Sequence, residues 1–176
     1  MRWTAYGSAM ASLIRIFGID PGSAATGWGV IESVGTRLCY VASGVIKPKR
    51  TAAHPEKLSH IFGELTALLA AHRPDEAAVE ETFVNASPRD ALVLGQARGI
   101  ALLAPAQHGL SVAEYAANTI KKSVVGRGHA DKKQVQAMVK VLLPKCGEPK
   151  SDEADALAIA ICHAHHAGLR RLEEAS

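Results

Sequence analysis

The sequence lacks several features that would have pointed to particular classes of protein. It has no apolar run long enough to cross a membrane, no internal repeat and no low-complexity segment. The first twelve residues also lack the charged-then-apolar layout of a secretion signal. These absences exclude integral membrane, solenoid and disordered proteins, and they predict a cytoplasmic location.

Cysteine is scarce, and its spacing excludes two further classes of protein. Cys39, Cys146 and Cys162 are odd in number, far apart and in no metal-ligand pattern. We therefore expect reduced, mostly buried thiols, and neither a disulfide framework nor a zinc site.

A strong net charge is missing as well, since the whole chain carries only +3. Hydrophobic residues make up 48% and charged residues 21% of the 176 positions, which predicts one globular domain with a substantial core. We expect a disordered N-terminal extension over 1–12, the folded domain over 13–168 and a C-terminal tail over 169–176.

The charge is unevenly distributed along the chain. Residues 119–150 contain eight basic and two acidic side chains, a balance of +6, which leaves −3 for the rest of the chain. The basic residues of this segment are Lys121, Lys122, Arg127, Lys132, Lys133, Lys140, Lys145 and Lys150. Such a concentration indicates a polyanionic partner, although a solvated helix face would produce the same pattern.

The most informative stretch spans residues 14–31. A dense apolar run of strand length ends in Asp20, which Pro21 and Gly22 follow at once, and a second strand-like run covers 27–31. This pattern predicts a hairpin with a carboxylate at the tip of its first strand. The small residues around Asp20 leave room for a metal ion and a phosphate. Alternatively, Asp20 only hydrogen-bonds the turn.

The remaining pattern predicts an α/β fold. The run 37–46 extends the hairpin to a meander, and an amphipathic helix from Pro55 to Pro74 leads into a strand over 75–80 that ends at Glu80. A helix between two strands favours a parallel crossover. Further elements are predicted as helices over 90–104, 116–122, 131–143 and 151–167, and as a strand over 110–115.

Two smaller features of the middle of the chain have more than one interpretation. Phe83 follows the candidate acid Glu80, and it either joins the core or stacks on a nucleic-acid base. Gly95 and Gly99 are four apart on one helix face, which predicts a close neighbouring helix from this chain or from a second copy.

The last helix opens with two carboxylates on one face, Asp152 and Asp155. Asp152 could simply cap the helix, whereas Asp155 lies beyond the cap in an alanine-rich stretch where a charge needs a partner. His163, His165 and His166 do not follow a zinc pattern, and we expect them to face solvent or the helix C-terminal dipole.

If the two strand ends are neighbours and the last helix crosses that edge, four carboxylates converge. Such a cluster requires cations, and oxygen-only ligands favour Mg²⁺, with Mn²⁺ as a substitute. A pair of ions suits phosphodiester hydrolysis.

Several motifs, in order along residues 14–165, resemble the RuvC Holliday junction resolvases. They read G-I-D-P-G-S, V-E-E-T-F, L-G-Q-A-R-G, N-T-I-K-K-S-V-V-G-R-G and D-E-A-D-A-L-A-I-A-I-C-H. The resemblance implies a ribonuclease H-like fold with a mixed five-stranded sheet flanked by helices. It also implies a homodimer that nicks four-way DNA junctions in pairs, with two Mg²⁺ per active site and with the RuvA and RuvB branch-migration proteins as partners.

The resemblance also implies roles for individual residues. By position, the family's four metal-binding catalytic acids fall on Asp20, Glu80, Asp152 and Asp155. Its DNA-contacting lysines fall on Lys121 and Lys132 and its base-stacking aromatic on Phe83, and we add Lys122 and Arg127 from the same basic segment. An acidic Glu81 after Glu80 departs from the expected pattern and leaves open whether it assists Glu80.

Three other functions are consistent with parts of this pattern. Actin-like ATPases share the hairpin, but they need a second phosphate loop and a second lobe, for which this chain is too short. Another ribonuclease H-like nuclease of similar size and a non-catalytic junction-binding module are the remaining alternatives. The basic segment around Lys121 argues against the former, and the four acids argue against the latter.

Overall fold

A computed structural model describes residues 12–81 and 87–174, with side chains described as far as residue 168. The predicted stacking residue Phe83 therefore lies outside the described residues. No helix in the described part of the chain is both long and apolar enough to cross a membrane.

The centre of the fold is a five-stranded mixed sheet in the order β3-β2-β1-β4-β5. Its strands are β1 (Ile14–Asp20), β2 (Thr26–Val34), β3 (Arg37–Ile46), β4 (Glu76–Glu81) and β5 (Ser111–Ala116). The first three form an antiparallel meander, while β4 runs parallel to β1 and β5 runs parallel to β4. The predicted meander and the predicted parallel crossover are both confirmed.

In the described part of the chain, five α-helices lie around the sheet, and most begin and end close to the predicted positions. They are α1 (His54–His72), α2 (Pro88–Gln107), α3 (Ala117–Val125), α4 (Lys132–Leu142) and α5 (Ser151–Glu174). Three helices are longer than expected. In α2, Ser87 caps the first turn and Pro105 is accommodated near the end. Helix α3 continues to Val125, and α5 continues well past residue 167.

The helices cover both faces of the sheet and create two hydrophobic clusters. One cluster packs residues of α3, α4 and α5 against the sheet face that includes Ile16 and Ile31. The other packs α1 and α2 against the opposite face, around Phe17 and Val30. Because β1 contributes to both clusters, its run of apolar residues is buried on both sides, as the sequence predicted.

Helix α5 lies unusually close to the sheet because three strand glycines leave space for it. A Cβ on Gly27 would overlap the backbone carbonyl of Asp152, and a Cβ on Gly18 would overlap that of Ala156. A Cβ on Gly29 would come within 2.7 Å of the Leu157 side chain. Glycines inside strands therefore set the distance between α5 and the sheet.

The glycines of α2 behave differently. No described atom of this chain outside the local helix backbone lies within 4 Å of a Cβ built on Gly95 or Gly99. Within the described residues, the close neighbour predicted for these positions is therefore not supplied by the chain itself.

Candidate active site

The first two candidate acids lie side by side at one edge of the sheet. Asp20 ends β1, and Glu80 is the penultimate residue of the parallel strand β4, with Ile19 paired to Val79 immediately before them. Since side chains alternate along a strand, Glu81 is directed to the face opposite Glu80. The parallel pairing of β1 and β4 thus brings together two carboxylates that are sixty residues apart in sequence.

The turn after Asp20 is closed by a threonine. The Thr26 hydroxyl donates a 2.7 Å hydrogen bond to the Gly22 carbonyl and accepts a longer one, 3.4 Å, from the Gly22 amide. Thr26 is 1% exposed, so these bonds are shielded from water. This side chain performs the turn-closing role that was considered for Asp20.

Helix α5 adds the remaining acids. Asp20 pairs with Gly27 across the hairpin. Because glycine has no Cβ, the backbone carbonyl of Asp152 can pack directly against Gly27. Asp155 follows one turn later. A pocket of about 280 Å³ opens between α5 and the strand ends, and its charged lining residues are Asp20, Glu80, Asp155, Lys121 and Lys132. Asp152 is adjacent and is not among the lining residues.

Two lysines of the basic segment face these carboxylates. Lys132 Nζ forms a 3.2 Å ion pair with Asp155 Oδ2 at the start of α4, and the lysine side chain is 72% exposed. Burial and the neighbouring acids raise the pKa values of Asp20 and Glu80, and the positive charge of Lys132 opposes part of this rise. Lys121 opposes the rise in the pKa of Glu80 in the same way. Lys121 and Lys132 are therefore close to the acids, while Lys132 remains accessible to a solvent-borne ligand.

The negative charges of this site are only partly compensated. The pKa of Asp20 is raised to about 7, mainly by burial and then by the neighbouring Glu80, Asp155 and Asp152. The pKa of Glu80 is also raised, first by burial and then by Asp155. The pKa of Lys132 is raised mainly by Asp155. A cation at this edge would remove much of the repulsion between the carboxylates.

The donor set suits a hard divalent cation, because its oxygens come from carboxylates and it lacks the sulfur and nitrogen ligands typical of zinc. Among residues 12–81 and 87–174, however, no group of three or more Asp, Glu, His or Cys side chains is already arranged to hold a metal ion. Chemically the residues fit the metal, although their side chains are not preassembled around it.

The raised pKa of Asp20 predicts how the stability of the metal-free protein depends on pH. Between about pH 4 and 7, Asp20 is protonated in the folded protein and ionised in the unfolded chain, so raising the pH lowers the free energy of unfolding. We expect a loss on the order of 2–4 kcal/mol across this window and little further change above it. Urea unfolding in EDTA at a series of pH values measures this loss.

Asp20→Asn should remove most of that slope, whereas Glu64→Gln, an exposed carboxylate on α1, should not. Equal slopes in wild type and Asp20→Asn would contradict the assigned environment of Asp20.

The other candidate DNA contacts are dispersed. Lys122 is exposed on α3 and faces a second groove, away from the pocket that Lys121 lines. Arg127 is exposed in the loop between α3 and α4 and does not line the pocket. The structure therefore brings Lys121 and Lys132 to the acids and leaves Lys122 and Arg127 on the surrounding surface.

The sequence analysis was wrong about one histidine of α5. His163 is 3% exposed and does not face solvent. Its Nδ1 shares a 2.9 Å hydrogen bond with the Tyr115 hydroxyl of β5, and its Nε2 lies 2.6 Å from Glu76 Oε2 of β4. This buried polar cluster ties α5 to two strands. No local pattern of the sequence indicated this burial, because the partners of His163 come from two strands that are far from it in the chain.

Comparisons with known proteins agree with the motifs. The family model described as crossover junction endodeoxyribonuclease RuvC matches residues 16–163. A protein of that name from Rhodopseudomonas palustris (strain TIE-1) is 60% identical over 155 residues, covering 88% of this chain and 89% of its own length. Another from Azorhizobium caulinodans is 57% identical over 164 residues, covering 93% and 97%.

A solved structure with the same architecture is Thermus thermophilus RuvC in complex with its Holliday junction substrate. It superposes with a TM-score of 0.82 at 32% sequence identity, covering 89% of this chain and 96% of that one. The predicted ribonuclease H-like fold, with its mixed five-stranded sheet, is confirmed by this match.

Proposed function

The chain belongs to the RuvC family of crossover junction endodeoxyribonucleases, and on that premise we propose that it resolves four-way DNA junctions in recombination and repair. It cuts two strands symmetrically by phosphodiester hydrolysis and leaves 5′-phosphate and 3′-hydroxyl ends. The observation that carries this proposal is the pocket in which Asp20, Glu80 and Asp155 meet Lys121 and Lys132. In this pocket, carboxylates that can bind divalent metal ions lie beside lysine side chains that can bind a phosphate.

We propose that Asp20, Glu80, Asp152 and Asp155 hold two Mg²⁺ ions, for which Mn²⁺ can substitute. Bound metal would polarise the attacking water and stabilise the leaving 3′ oxygen. The strand ends supply a rigid platform for Asp20 and Glu80, and α5 supplies the other two carboxylates. Lys132 supplies a counter-charge to Asp155 in the metal-free site and would be available to a DNA phosphate if Asp155 held a metal ion.

Incubation with a synthetic four-way junction and Mg²⁺ tests the function directly. We expect paired nicks at symmetric positions on two strands, and no cleavage in EDTA. Nicks in linear or RNA–DNA duplexes with the junction left intact would favour another ribonuclease H-like nuclease. Tight junction binding without any cleavage would favour a non-catalytic binding module.

Lys121 and Lys132 are proposed to bind the DNA backbone near the scissile phosphate. Lys132→Ala should weaken junction binding for all sequences, reduce the salt dependence by about one counterion and slow cleavage. Lys121→Ala should act alike. Fluorescence anisotropy across a salt series measures the slope.

The matched control is Lys133→Ala, because Lys133 is exposed on the same turn of α4 and does not line the pocket. If Lys132→Ala and Lys133→Ala have the same salt slope and cleavage rate as wild type, Lys132 belongs to a solvated face and not to a phosphate site.

We further propose that the active unit is a homodimer formed through α2. The exposed residues of this helix include Leu92, Gly95, Gly99 and Leu103, which lie on one face. The two glycines are open to a partner helix. A junction offers two equivalent strands, so two copies with one acid cluster each match its twofold symmetry.

Gly99→Leu should shift the protein toward monomer in sedimentation velocity and uncouple the two nicks on one junction. Gly63→Leu on α1, where a side chain also meets open space, should leave the dimer intact. Wild-type protein that sediments as a monomer at micromolar concentration, yet makes paired nicks, would rule out this assembly.

The RuvA and RuvB branch-migration proteins are proposed as functional partners, and the cytoplasm as the location. The partners are implied by the family to which the chain belongs, and the location by its proposed action on DNA. Pull-down of RuvA and RuvB on an immobilised junction carrying this protein tests the partnership.

A further inference from the structure

A second groove lies on the other side of α3 from the acidic pocket. It has a volume of about 630 Å³, larger than the acidic pocket. Its polar lining residues are Lys122, His129, His165, His166, Asn118 and Ser123, and no acidic side chain lines it among the residues that the structure describes. A groove with this composition is suited to an anion.

Three separate elements contribute to this groove. Lys122 and Asn118 come from α3, His129 from the loop before α4, and His165 and His166 from α5. His165 Nδ1 lies 3.0 Å from the Ser123 hydroxyl, and the His166 ring stacks on Tyr115 at a centroid distance of 5.2 Å. These contacts hold the two α5 imidazoles in place, so part of the groove is preorganised.

The groove and the acidic pocket share two elements. On α3, Lys121 lines the acidic pocket and its neighbour Lys122 lines the groove. On α5, Asp155 and His165 are ten residues apart, which corresponds to about 15 Å along a helix. One DNA strand has about one phosphate per 3.4 Å of duplex rise, and successive phosphates lie farther apart than this rise because the strand also winds round the axis, so the distance spans at most about four nucleotides.

We infer that this groove binds backbone phosphates of the junction strand within about four nucleotides of the scissile phosphate. The inference rests on the proposed function and extends it to a second phosphate-binding site. Lys122 supplies a positive charge, and the imidazole, amide and hydroxyl groups supply hydrogen-bond donors to phosphate oxygens. These contacts carry no base information, so the groove fixes the register of the strand and not its sequence.

The first test places a negative charge in the groove without disturbing the core. His129 is exposed in a loop, so His129→Glu should fold normally and weaken junction binding about three- to ten-fold in EDTA. The matched control is His60→Glu, because His60 is exposed on α1, which packs on the opposite face of the sheet. His166→Gln gives a second variant on a different element and should weaken binding in the same direction.

The second test locates the contact on the DNA. Single methylphosphonate substitutions, which remove one phosphate charge each, are placed at successive positions from the mapped nick. At a position within about four nucleotides of the nick, neutralisation should weaken junction binding by wild type and by His60→Glu, and should weaken binding by His129→Glu much less.

The inference is overturned if His129→Glu binds the junction as tightly as His60→Glu does. It is also overturned if, at every position tested, the loss of binding caused by the methylphosphonate is the same in His129→Glu as in wild type. Binding of inorganic phosphate alone, with no difference on the junction, would also overturn it. A wild-type protein that neither prefers nor cuts junctions would instead refute the proposed function, so the two failures are distinguishable.

Discussion

Asp20→Asn is expected to lower junction cleavage on the order of a thousand-fold or more while junction binding is kept or becomes tighter. Asparagine preserves the shape of the side chain and removes the charge that would hold metal beside the scissile phosphate. Junction binding is kept because the substitution removes a carboxylate charge that repels the DNA phosphate. Single-turnover cleavage in Mg²⁺ and binding in EDTA measure the two effects separately.

The control is Glu64→Gln, which neutralises an exposed carboxylate on α1 and should change neither quantity. Glu80→Gln and Asp155→Asn should behave like Asp20→Asn. Cleavage by Asp20→Asn at the wild-type rate would refute the metal-binding assignment of Asp20.

Asp152 needs a sharper version of this test, because it lies in the first turn of α5, where its charge could serve only the N-terminal dipole of the helix. Asparagine would lose that interaction, which is worth about 0.3–1 kcal/mol. Asp152→Asn should therefore lower the melting temperature only slightly and lose cleavage if the charge serves metal. A slightly lower melting temperature together with unchanged cleavage would reduce Asp152 to a structural role.

The second large effect is expected from Gly27→Ala, a change that adds one methyl group. That methyl would overlap the Asp152 carbonyl and lie 2.7 Å from the Asp152 carbonyl carbon, so the start of α5 must move away from β2. We expect a loss of about 1–3 kcal/mol in the free energy of unfolding. Cleavage should fall further than stability alone explains, because α5 carries Asp152 and Asp155.

The matched substitution is Gly63→Ala on α1, where the added methyl meets open space. Alanine is the better helix former, so this variant should gain about 0.5–1 kcal/mol and retain activity. Thermal melting and a junction-nicking assay on the pair provide the comparison. If Gly27→Ala melts and cleaves as wild type does, the close approach of α5 is not needed for the site.

The local pattern of the sequence was sufficient to predict most of the fold. The strands, the parallel crossover and the helix faces follow from the spacing of apolar residues and from turn signals, which depend only on near neighbours in the chain. The errors at the ends of α2 and α5 are of the expected kind. Proline within the last turn of α2 did not end that helix, and α5 continues through Leu, Arg and Glu residues, which are good helix formers and mark no clear end.

The sequence also identified the chemistry. Carboxylates at two strand ends and at a helix start, together with a basic segment and the ordered motifs, were enough to indicate the family that the comparisons then matched. These features could be read because each acid adjoins a recognisable local signal, such as the Pro21-Gly22 turn after Asp20.

Only the tertiary structure decided how these groups meet. The depth at which α5 docks depends on the strand glycines Gly18 and Gly27, whose role appears only when the helix lies across them. The burial of His163 and the shape of the second groove likewise depend on which strands and loops surround α5. Such contacts join residues far apart in the chain, and no local periodicity specifies them, because they arise only when complementary surfaces pack together.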